Sequence, residues 1–263
     1  MTGPDTPEHE SHDRFPLFPD PSPARGEGSF VSRVRDFHGN RSTSRQENLM
    51  KDIARFIAGF ERFQEKYFGE ERELFDKLTH GQSPKTLIVA CADSRVDPAL
   101  LTGAEPGDVF VVRNVANLVP PYHPDGDFAS VPAALEFAVL SLKVEHIIVL
   151  GHAKCGGIHA LMQGLGAETE FIGKWVSIAE RARTRVQAEL PSKSPALQDR
   201  ACEQAGILVS LENLLTYPWI AERVQAGRIH LHGWYFDLAA GALLHYDPAS
   251  NAFDAVTPSE AML

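Results

Sequence analysis

The chain has 263 residues, with 25 Lys and Arg against 35 Asp and Glu, and therefore a formal charge of −10. This acidic balance argues against a general nucleic-acid-binding role, which needs a basic surface. The cysteines number only 3, an odd and sparse count that excludes a disulfide scaffold and fits a reducing compartment. Hydrophobic residues make up 43% of the chain, which is typical of a globular protein with enough chain to bury a core.

Residues 1–46 are predicted to form a disordered or extended arm. Prolines are frequent there, acidic and basic residues are mixed among them, and no apolar periodicity occurs. The arm has no apolar run of the kind found in signal peptides, and it is too acidic for an organelle transit peptide. No stretch of the chain approaches the length of a membrane span. We therefore expect a cytoplasmic protein in which residues 47–263 form a single folded domain.

An amphipathic helix is predicted over residues 48–68. Apolar residues recur there at helical spacing, and half of them are aromatic: Leu49, Ile53, Phe56, Ile57, Phe60 and Phe63. This face either packs on its own domain or packs on a second subunit. Packing on a second subunit is the more specific interpretation, because an N-terminal helix outside the main fold needs a surface to cover.

Strand and helix patterns then alternate along the chain. Short apolar runs predict buried strands at 86–90, 109–112, 146–150 and 229–232. Helical patterns lie between them, at 130–143, 171–190 and about 197–226. A turn at 239–241 and a further apolar run indicate a C-terminal hairpin. The sequence therefore predicts an α/β fold with a mostly parallel central sheet flanked by helices.

Residues suited to metal chemistry directly follow two of these strands. Cys91 is followed by Asp93 and Arg95, and His152 is followed by Cys155 and Gly156-Gly157. Ligands of open α/β sheets bind beyond the carboxyl ends of the strands. Two thiolates and an imidazole suit zinc, and three protein ligands leave a fourth position open, which marks a catalytic site.

Each of these residues alone has a commoner structural explanation, but their conjunction indicates a metal site. Asp93 either fills the fourth position on the metal or orients a water there. Arg95 is placed to pair with Asp93, which would hold its carboxylate ionised and fix its direction. The glycine pair leaves room for a substrate to approach closely.

Four ordered strings of this sequence resemble the β-class carbonic anhydrases over residues 47 to about 247. The strings are C-A-D-S-R-V, R-N-V-A-N, E-F-A-V-L-S-L-K-V and G-H-A-K-C-G-G. The resemblance implies one zinc per subunit, bound by Cys91, His152 and Cys155, with an Asp93–Arg95 dyad beside it. It also implies reversible hydration of carbon dioxide to bicarbonate and a proton by zinc-hydroxide attack. Residues 47–263 are then a single catalytic zinc domain that includes an N-terminal dimerisation helix.

The same resemblance implies a set of substrate-binding residues. Members of the plant-like type have a glutamine nine residues before the first cysteine, and that position is Gln82 here. The implied apolar pocket and backbone donor are Phe110, Val115, Phe137 and Gly156. Some bacterial members have a non-catalytic bicarbonate site with a tryptophan and a tyrosine where this chain has Ile88 and Phe236. Gln82 and the absence of that tryptophan both favour the plant-like type I active site, in which zinc stays open to water.

The family forms dimers with active sites at the subunit interface, so we expect a homodimer or a higher even-numbered homo-oligomer. Gln82 and Phe110 would then serve the neighbouring subunit's zinc. We expect no nucleic-acid or membrane partner. Two alternatives stay open: hydrolysis of carbonyl sulfide or carbon disulfide on the same fold, and a non-catalytic zinc-binding or redox-sensing module. Asp93, Arg95 and Gln82 argue against the second alternative, because a structural zinc site does not need them.

Overall fold

A computed structural model describes residues 43–124, 129–164 and 169–256. The chain divides into two compact units between Phe75 and Asp76. In the first unit, helix α1 (Thr43–Gln64) runs into a π-helical segment (Glu65–Glu70) and is followed by α2 (Arg72–Leu78). The helix thus begins at Thr43 rather than Asn48. The predicted arm lies outside the described residues except for its last four, and the predicted domain boundary at residue 47 stays a prediction.

The large apolar residues of the first unit fall into two groups. Phe63 lies at the centre of one group, with its ring centroid 4.8 Å from Tyr67, 6.3 Å from Phe68 and 5.6 Å from Phe75. The other group is exposed and consists of Ile53, Phe56, Ile57 and Phe60. The predicted apolar face of α1 therefore packs locally at its C-terminal end and stays open to solvent in its middle.

The second unit is built on a six-stranded sheet with the order β2-β1-β3-β4-β5-β6. The strands are β1 (Thr86–Cys91), β2 (Val109–Asn114), β3 (His146–His152), β4 (His230–Asp237), β5 (Ala242–Asp247) and β6 (Ala252–Ala255). The first four are parallel, and β5 and β6 are antiparallel additions. This arrangement confirms the predicted α/β class and the C-terminal hairpin. Strand β6 was not predicted, because its four residues carry only one large apolar side chain.

Helices connect and flank these strands. They are α3 (Pro98–Thr102), α4 (Ser130–Glu136), α5 (Gly156–Gln163), α6 (Ile172–Val176), α7 (Glu180–Glu189), α8 (Pro195–Leu214) and α9 (Pro218–Gln225). A π-helical segment, Phe137–Leu142, extends α4. The helical pattern over 197–226 is two helices, because Pro218 lacks the N–H that a continuing helix needs. Helix α8 begins where the Ser194 side chain accepts a hydrogen bond from the Leu197 N–H. None of the helices in these described ranges is long and apolar enough to span a membrane.

The register of the central strands sets the position of the site. All residues of β1 after Thr86 and of β3 after His146 are buried, as expected for parallel strands covered on both faces. Ala90 of β1 pairs with Leu150 of β3, so Cys91 and His152 emerge at neighbouring strand ends. Glycine is required at position 151, because a Cβ there would meet the Ile207 side chain of α8 at 2.7 Å.

Candidate metal centre

Three buried side chains meet at the carboxyl ends of β1 and β3. Cys91 is the last residue of β1, His152 is the last residue of β3, and Cys155 immediately precedes α5. Their ligand atoms all lie within 4.8 Å of one another, and the two sulfur atoms are 4.0 Å apart. The convergence predicted from the strand ends is therefore present in the folded chain.

The geometry of these three residues fits a zinc ion. Two thiolates on one tetrahedral zinc lie about 3.8 Å apart, since each Zn–S bond is about 2.3 Å. The Nδ1 atom of His152 lies 2.9 Å from the Ala153 carbonyl oxygen, so it carries the ring proton and leaves a lone pair on Nε2. Nε2 is buried without a hydrogen-bond partner, a costly situation that a metal bond removes. The residues can thus hold zinc through three ligands.

The two thiols behave as one acid–base pair. The hydrogen bond shared with Cys155 is the main cause that lowers the pKa of the Cys91 thiol to about 4; the nearby His152 and backbone N–H groups act in the same direction, and burial opposes them. The same hydrogen bond, together with burial, raises the pKa of Cys155. Cys91 is therefore the more acidic thiol of the pair, and a bound cation would stabilise both thiolates.

Asp93 is fixed beside this centre by Arg95. Asp93 Oδ1 accepts from the Arg95 backbone N–H at 3.0 Å and from Arg95 Nε at 2.9 Å, and Oδ2 accepts from Nη2 at 2.7 Å. These contacts hold the pKa of the Asp93 carboxyl well below its usual range. Oδ2 lies 4.0 Å from His152 Nε2. A carboxylate oxygen offers about two acceptor positions, so Oδ2 retains one acceptor position next to the metal ligands.

Arg95 also ties the two strand-end loops together. Its Nη2 donates to the Lys154 carbonyl oxygen at 3.0 Å. Lys154 has a left-handed backbone conformation with φ of 57°, which turns the chain between His152 and Cys155. The guanidinium thus links the loop that carries Asp93 to the loop that carries the other two ligands.

The two adjacent glycines have different roles. A Cβ at position 157 would meet Val115 Cγ1 at 2.6 Å, so packing requires Gly157. A Cβ at position 156 would have no atom within 4 Å, so Gly156 borders open space beside Cys155. Val115 itself directly follows β2 and is partly exposed at this same edge.

Not every predicted substrate residue lies at this edge. Gln82 precedes the amino end of β1, and Phe110 pairs in register with Leu87, four residues before Cys91, which is a distance of about 13 Å along a strand. The Phe137 ring centroid lies 5.8 Å from that of Phe110. One chain therefore brings Asp93, Arg95, Val115 and Gly156 to the cysteines, but it does not bring Gln82, Phe110 or Phe137 there.

The structure adds a buried carboxylate that sequence reasoning missed. Glu203 of α8 accepts from the Cys155 N–H at 2.9 Å and from the Tyr235 hydroxyl at 2.7 Å. Burial raises its pKa above the ordinary value, although both hydrogen bonds oppose the shift. A signal was available: Glu203 occupies an apolar-face position of α8, spaced three and four residues from Gly206 and Ile207.

Residues 86–243 match a family model described as carbonic anhydrase. A curated relative, the chloroplastic β carbonic anhydrase 5 of Arabidopsis thaliana, is 44% identical over 70% of this chain and 60% of its own length. A carbonic anhydrase of Synechocystis is 38% identical over 76% of this chain and 73% of the relative. The chain belongs to the β-class carbonic anhydrase family. It is accordingly an enzyme, and the resemblance inferred from its motifs is confirmed.

Solved β-class carbonic anhydrases have the same architecture. The structure titled the β-carbonic anhydrase CcaA has a TM-score of 0.74 and 36% identity, with 78% of this chain and 100% of that chain covered. One of two β-carbonic anhydrases from Sordaria macrospora, described as tetrameric, has a TM-score of 0.61 and 29% identity, with 78% and 97% covered. Zinc is the cofactor of the β-class carbonic anhydrases, and the cysteine–histidine–cysteine group of this chain is able to hold it.

Proposed function

We propose that this chain hydrates carbon dioxide reversibly to bicarbonate and a proton, with Cys91, His152 and Cys155 binding one zinc ion per subunit. One observation carries this proposal: the unpartnered Nε2 atom of buried His152 faces two thiols and a carboxylate oxygen that keeps a free acceptor position. Membership of the carbonic anhydrase family supports the same reaction.

Asp93 is proposed as the acceptor that orients the attacking water. When bound, zinc supplies the Lewis acidity that makes a water nucleophilic near neutral pH. Because the Asp93 pKa is held below its usual range by Arg95, the carboxylate stays ionised and can only accept hydrogen bonds at that pH. The free position on Oδ2 accepts a hydrogen bond from the water O–H that points away from the substrate, without taking its proton, and an oxygen lone pair is then directed at carbon.

The remaining residues of this edge accommodate the substrate. The Gly156 N–H lies at the first position of α5, where helices have no internal acceptor for their N–H groups, and it can donate to the oxygen on which negative charge develops. Val115 supplies an apolar wall, which suits a nonpolar gas better than a charged product. The glycine at 156 keeps this volume free of side-chain atoms.

A second copy of this chain is proposed to complete the site. Gln82, Phe110 and Phe137 lie toward the amino ends of the strands, away from the cysteines of their own chain. In a two-fold assembly the amino-end residues of one copy can reach the carboxyl edge of the other. The tetrameric Sordaria enzymes support an even-numbered homo-oligomer, and the exposed apolar face of α1 offers surface for it.

We further propose that residues 47–263 act as one catalytic domain that includes α1 as a dimerisation helix. The exposed residues Ile53, Phe56 and Phe60 support this role. A cytoplasmic location is proposed on chemical grounds: the Cys91 and Cys155 sulfur atoms lie 4.0 Å apart, so an external oxidant could join them in a disulfide, and a reducing compartment keeps them available for zinc.

The function is tested by measuring carbon dioxide hydration, by stopped-flow, on zinc-loaded wild-type protein and on Asp93→Ala. We expect activity in the wild type, loss of activity on zinc removal by a chelator, and a rate at least ~100-fold lower in Asp93→Ala with zinc retained. Cys155→Ala should lose stoichiometric zinc. Arg185→Ala, which removes an exposed ion pair with Glu189, is the control and should match the wild type.

The same preparations separate this proposal from the alternatives. Hydrolysis of carbonyl sulfide or carbon disulfide with no hydration of carbon dioxide would replace the proposed substrate. Full zinc content in Cys155→Ala would exclude the proposed ligand set. A wild-type protein with full zinc and no activity toward any of the three substrates would favour a non-catalytic zinc or redox module.

A further inference from the structure

Arg113 makes an unusually complete set of contacts with the loop that carries Asp93. It is the fifth residue of edge strand β2 and pairs in register with Ala90. Its Nε donates to the Cys91 carbonyl at 2.9 Å, and its Nη2 donates to the carbonyls of Asp93 and Val96, each at 2.8 Å. Its Nη1 donates to the Asp97 carboxylate at 3.2 Å. A guanidinium has five N–H donors, so four of the five are used within this one loop.

Few other bonds hold this loop in place. Between Cys91 and Asp97 the backbone contributes the Ala92 N–H to the Asn114 carbonyl at 2.8 Å and the Val96 N–H to the Asp93 carbonyl at 3.1 Å. Asp97 caps α3 at the far end of the loop through the Leu100 N–H. The carbonyls of Cys91, Asp93 and Val96 thus all accept from one side chain of a neighbouring strand, and that of Asp93 also accepts from the Val96 N–H.

We propose that Arg113 is a positioning residue for the hydration reaction: it fixes the loop Cys91–Asp97 so that the Asp93–Arg95 ion pair faces the metal ligands. This inference rests on the proposed function. Arg113 contacts none of the reacting groups itself. It acts through its hydrogen bonds to the backbone carbonyls of Cys91 and Asp93. The position of that backbone sets the direction of the Asp93 carboxylate.

A guanidinium suits this task and an ammonium does not. Three acceptors lie along one side of the loop, and a planar fork reaches all of them with fixed geometry, whereas a lysine ammonium is a single point on a flexible stem. The same contacts leave Arg113 little capacity for an external anion.

The test uses zinc-loaded full-length protein with Arg113→Lys and Arg113→Ala. We expect Arg113→Lys to keep stoichiometric zinc and to lose about 10- to 100-fold in kcat, with a smaller change in KM, because the dyad is misplaced while the pocket remains. Hydrogen–deuterium exchange of the peptide covering 91–97 should become faster than in the wild type. Added guanidinium ion, but not methylammonium ion, should restore part of the kcat of Arg113→Ala.

Two further variants serve as matched controls. Asp97→Asn keeps one acceptor oxygen, which can serve the Leu100 N–H, and loses the oxygen that accepts from Arg113 Nη1. Because the three backbone carbonyls still hold Arg113, its kcat should fall by less than that of Arg113→Lys. Arg185→Lys alters an exposed arginine far along the chain on α7 and should change neither kcat nor exchange at 91–97.

Three results would overturn the positioning role. These are a wild-type kcat in Arg113→Lys, unchanged exchange of residues 91–97 in that variant, and loss of zinc that accounts for all of its lost activity. If Arg113→Ala does not fold, Arg113→Lys carries the test alone. An inactive wild-type protein would contradict the proposed function instead, and faster exchange at 91–97 in Arg113→Lys would still support the loop contacts.

Discussion

At the scale of single residues, two carboxylates support the candidate metal centre, Asp93 and Glu203, and different interactions hold them in place. Asp93 is held ionised by three hydrogen bonds from Arg95. Glu203 is buried behind Cys155, and its pKa moves the opposite way because burial outweighs its two hydrogen bonds. The first carboxylate can be inferred from its spacing to Arg95. The second cannot be paired with Cys155 from the sequence, since 48 residues separate them.

Glu203 is expected to stabilise the Cys155 turn through hydrogen bonds more than through charge. Glu203→Gln can accept from the Cys155 N–H and donate its amide to the Tyr235 oxygen, so its free energy of unfolding should change by about 1 kcal/mol or less. Glu203→Leu leaves two buried donors without acceptors and should cost about 2–4 kcal/mol. Chemical denaturation of zinc-loaded proteins measures both. Equal losses in the two variants would contradict this account.

The difference in stability between the wild type and Glu203→Gln is expected to depend on pH. Because the Glu203 pKa is raised on folding, the folded state binds its proton more tightly than the unfolded state does. Stability is therefore lost as pH rises from the ordinary value of 4.5 through the raised one. The stability of the wild type relative to Glu203→Gln should fall across that window. Glu189→Gln, which also removes one carboxylate, is the control, and a rise instead of a fall would contradict the direction.

At the scale of elements, apolar runs and turn residues determine most of what can be predicted. The four parallel strands have apolar runs, and their carboxyl ends bring Cys91 and His152 together as expected. Helix boundaries are less predictable: the pattern over 171–190 is broken between α6 and α7. Strand β6 has almost no apolar signal, because it pairs at the sheet edge with only one neighbour. The packing requirement for Gly151 depends on Ile207, which no local pattern reveals.

The hairpin between β4 and β5 depends on Asp237. Its Oδ1 accepts from the backbone N–H groups of Ala239 at 3.0 Å and Ala240 at 3.1 Å, and its Oδ2 lies 3.0 Å from Arg200 Nη1. Asp237→Ala removes these acceptors and should lower the free energy of unfolding by about 1–3 kcal/mol. Asp237→Asn keeps the backbone contacts and should cost less. Urea denaturation compares the two variants.

The stabilisation that Asp237 gives to this turn is expected to decrease at acid pH. The N–H groups of Ala240 and Ala239 lower the pKa of the Asp237 carboxyl, so its contribution to stability is fully present above the ordinary value of 3.8. It is lost as pH falls through the lowered value. The destabilisation caused by Asp237→Ala should therefore shrink on acidification. A difference that grows at low pH would contradict this assignment.

At the scale of the whole molecule, one chain separates residues that the proposed reaction needs together. Cys91 lies at the carboxyl end of β1, whereas Gln82 precedes its amino end. The resemblance to the family predicts that these residues are shared between subunits, and this stays a prediction. Periodicity alone could not have predicted it, because apolar spacing carries no information about which copy a residue serves.

Mixed oligomers test this sharing directly. Gln82→Leu and Asp93→Ala should each reduce hydration strongly when expressed alone. Co-expressed at equal levels, they form mixed dimers in half of the cases, and each mixed dimer has one site with both residues intact. We therefore expect roughly a quarter of the wild-type activity. Activity no higher than that of the single variants would show that Gln82 serves its own chain.

The length of β1 has a kinetic consequence for such an enzyme. A lone subunit holds the candidate metal ligands and an oriented carboxylate at one end of the strand, and Gln82, the proposed substrate-binding residue, lies before the other end. Under the proposed sharing, a dissociated chain keeps its fold and its zinc but loses turnover. Specific activity would then depend on enzyme concentration. It would fall on dilution, because dilution favours the dissociated chains.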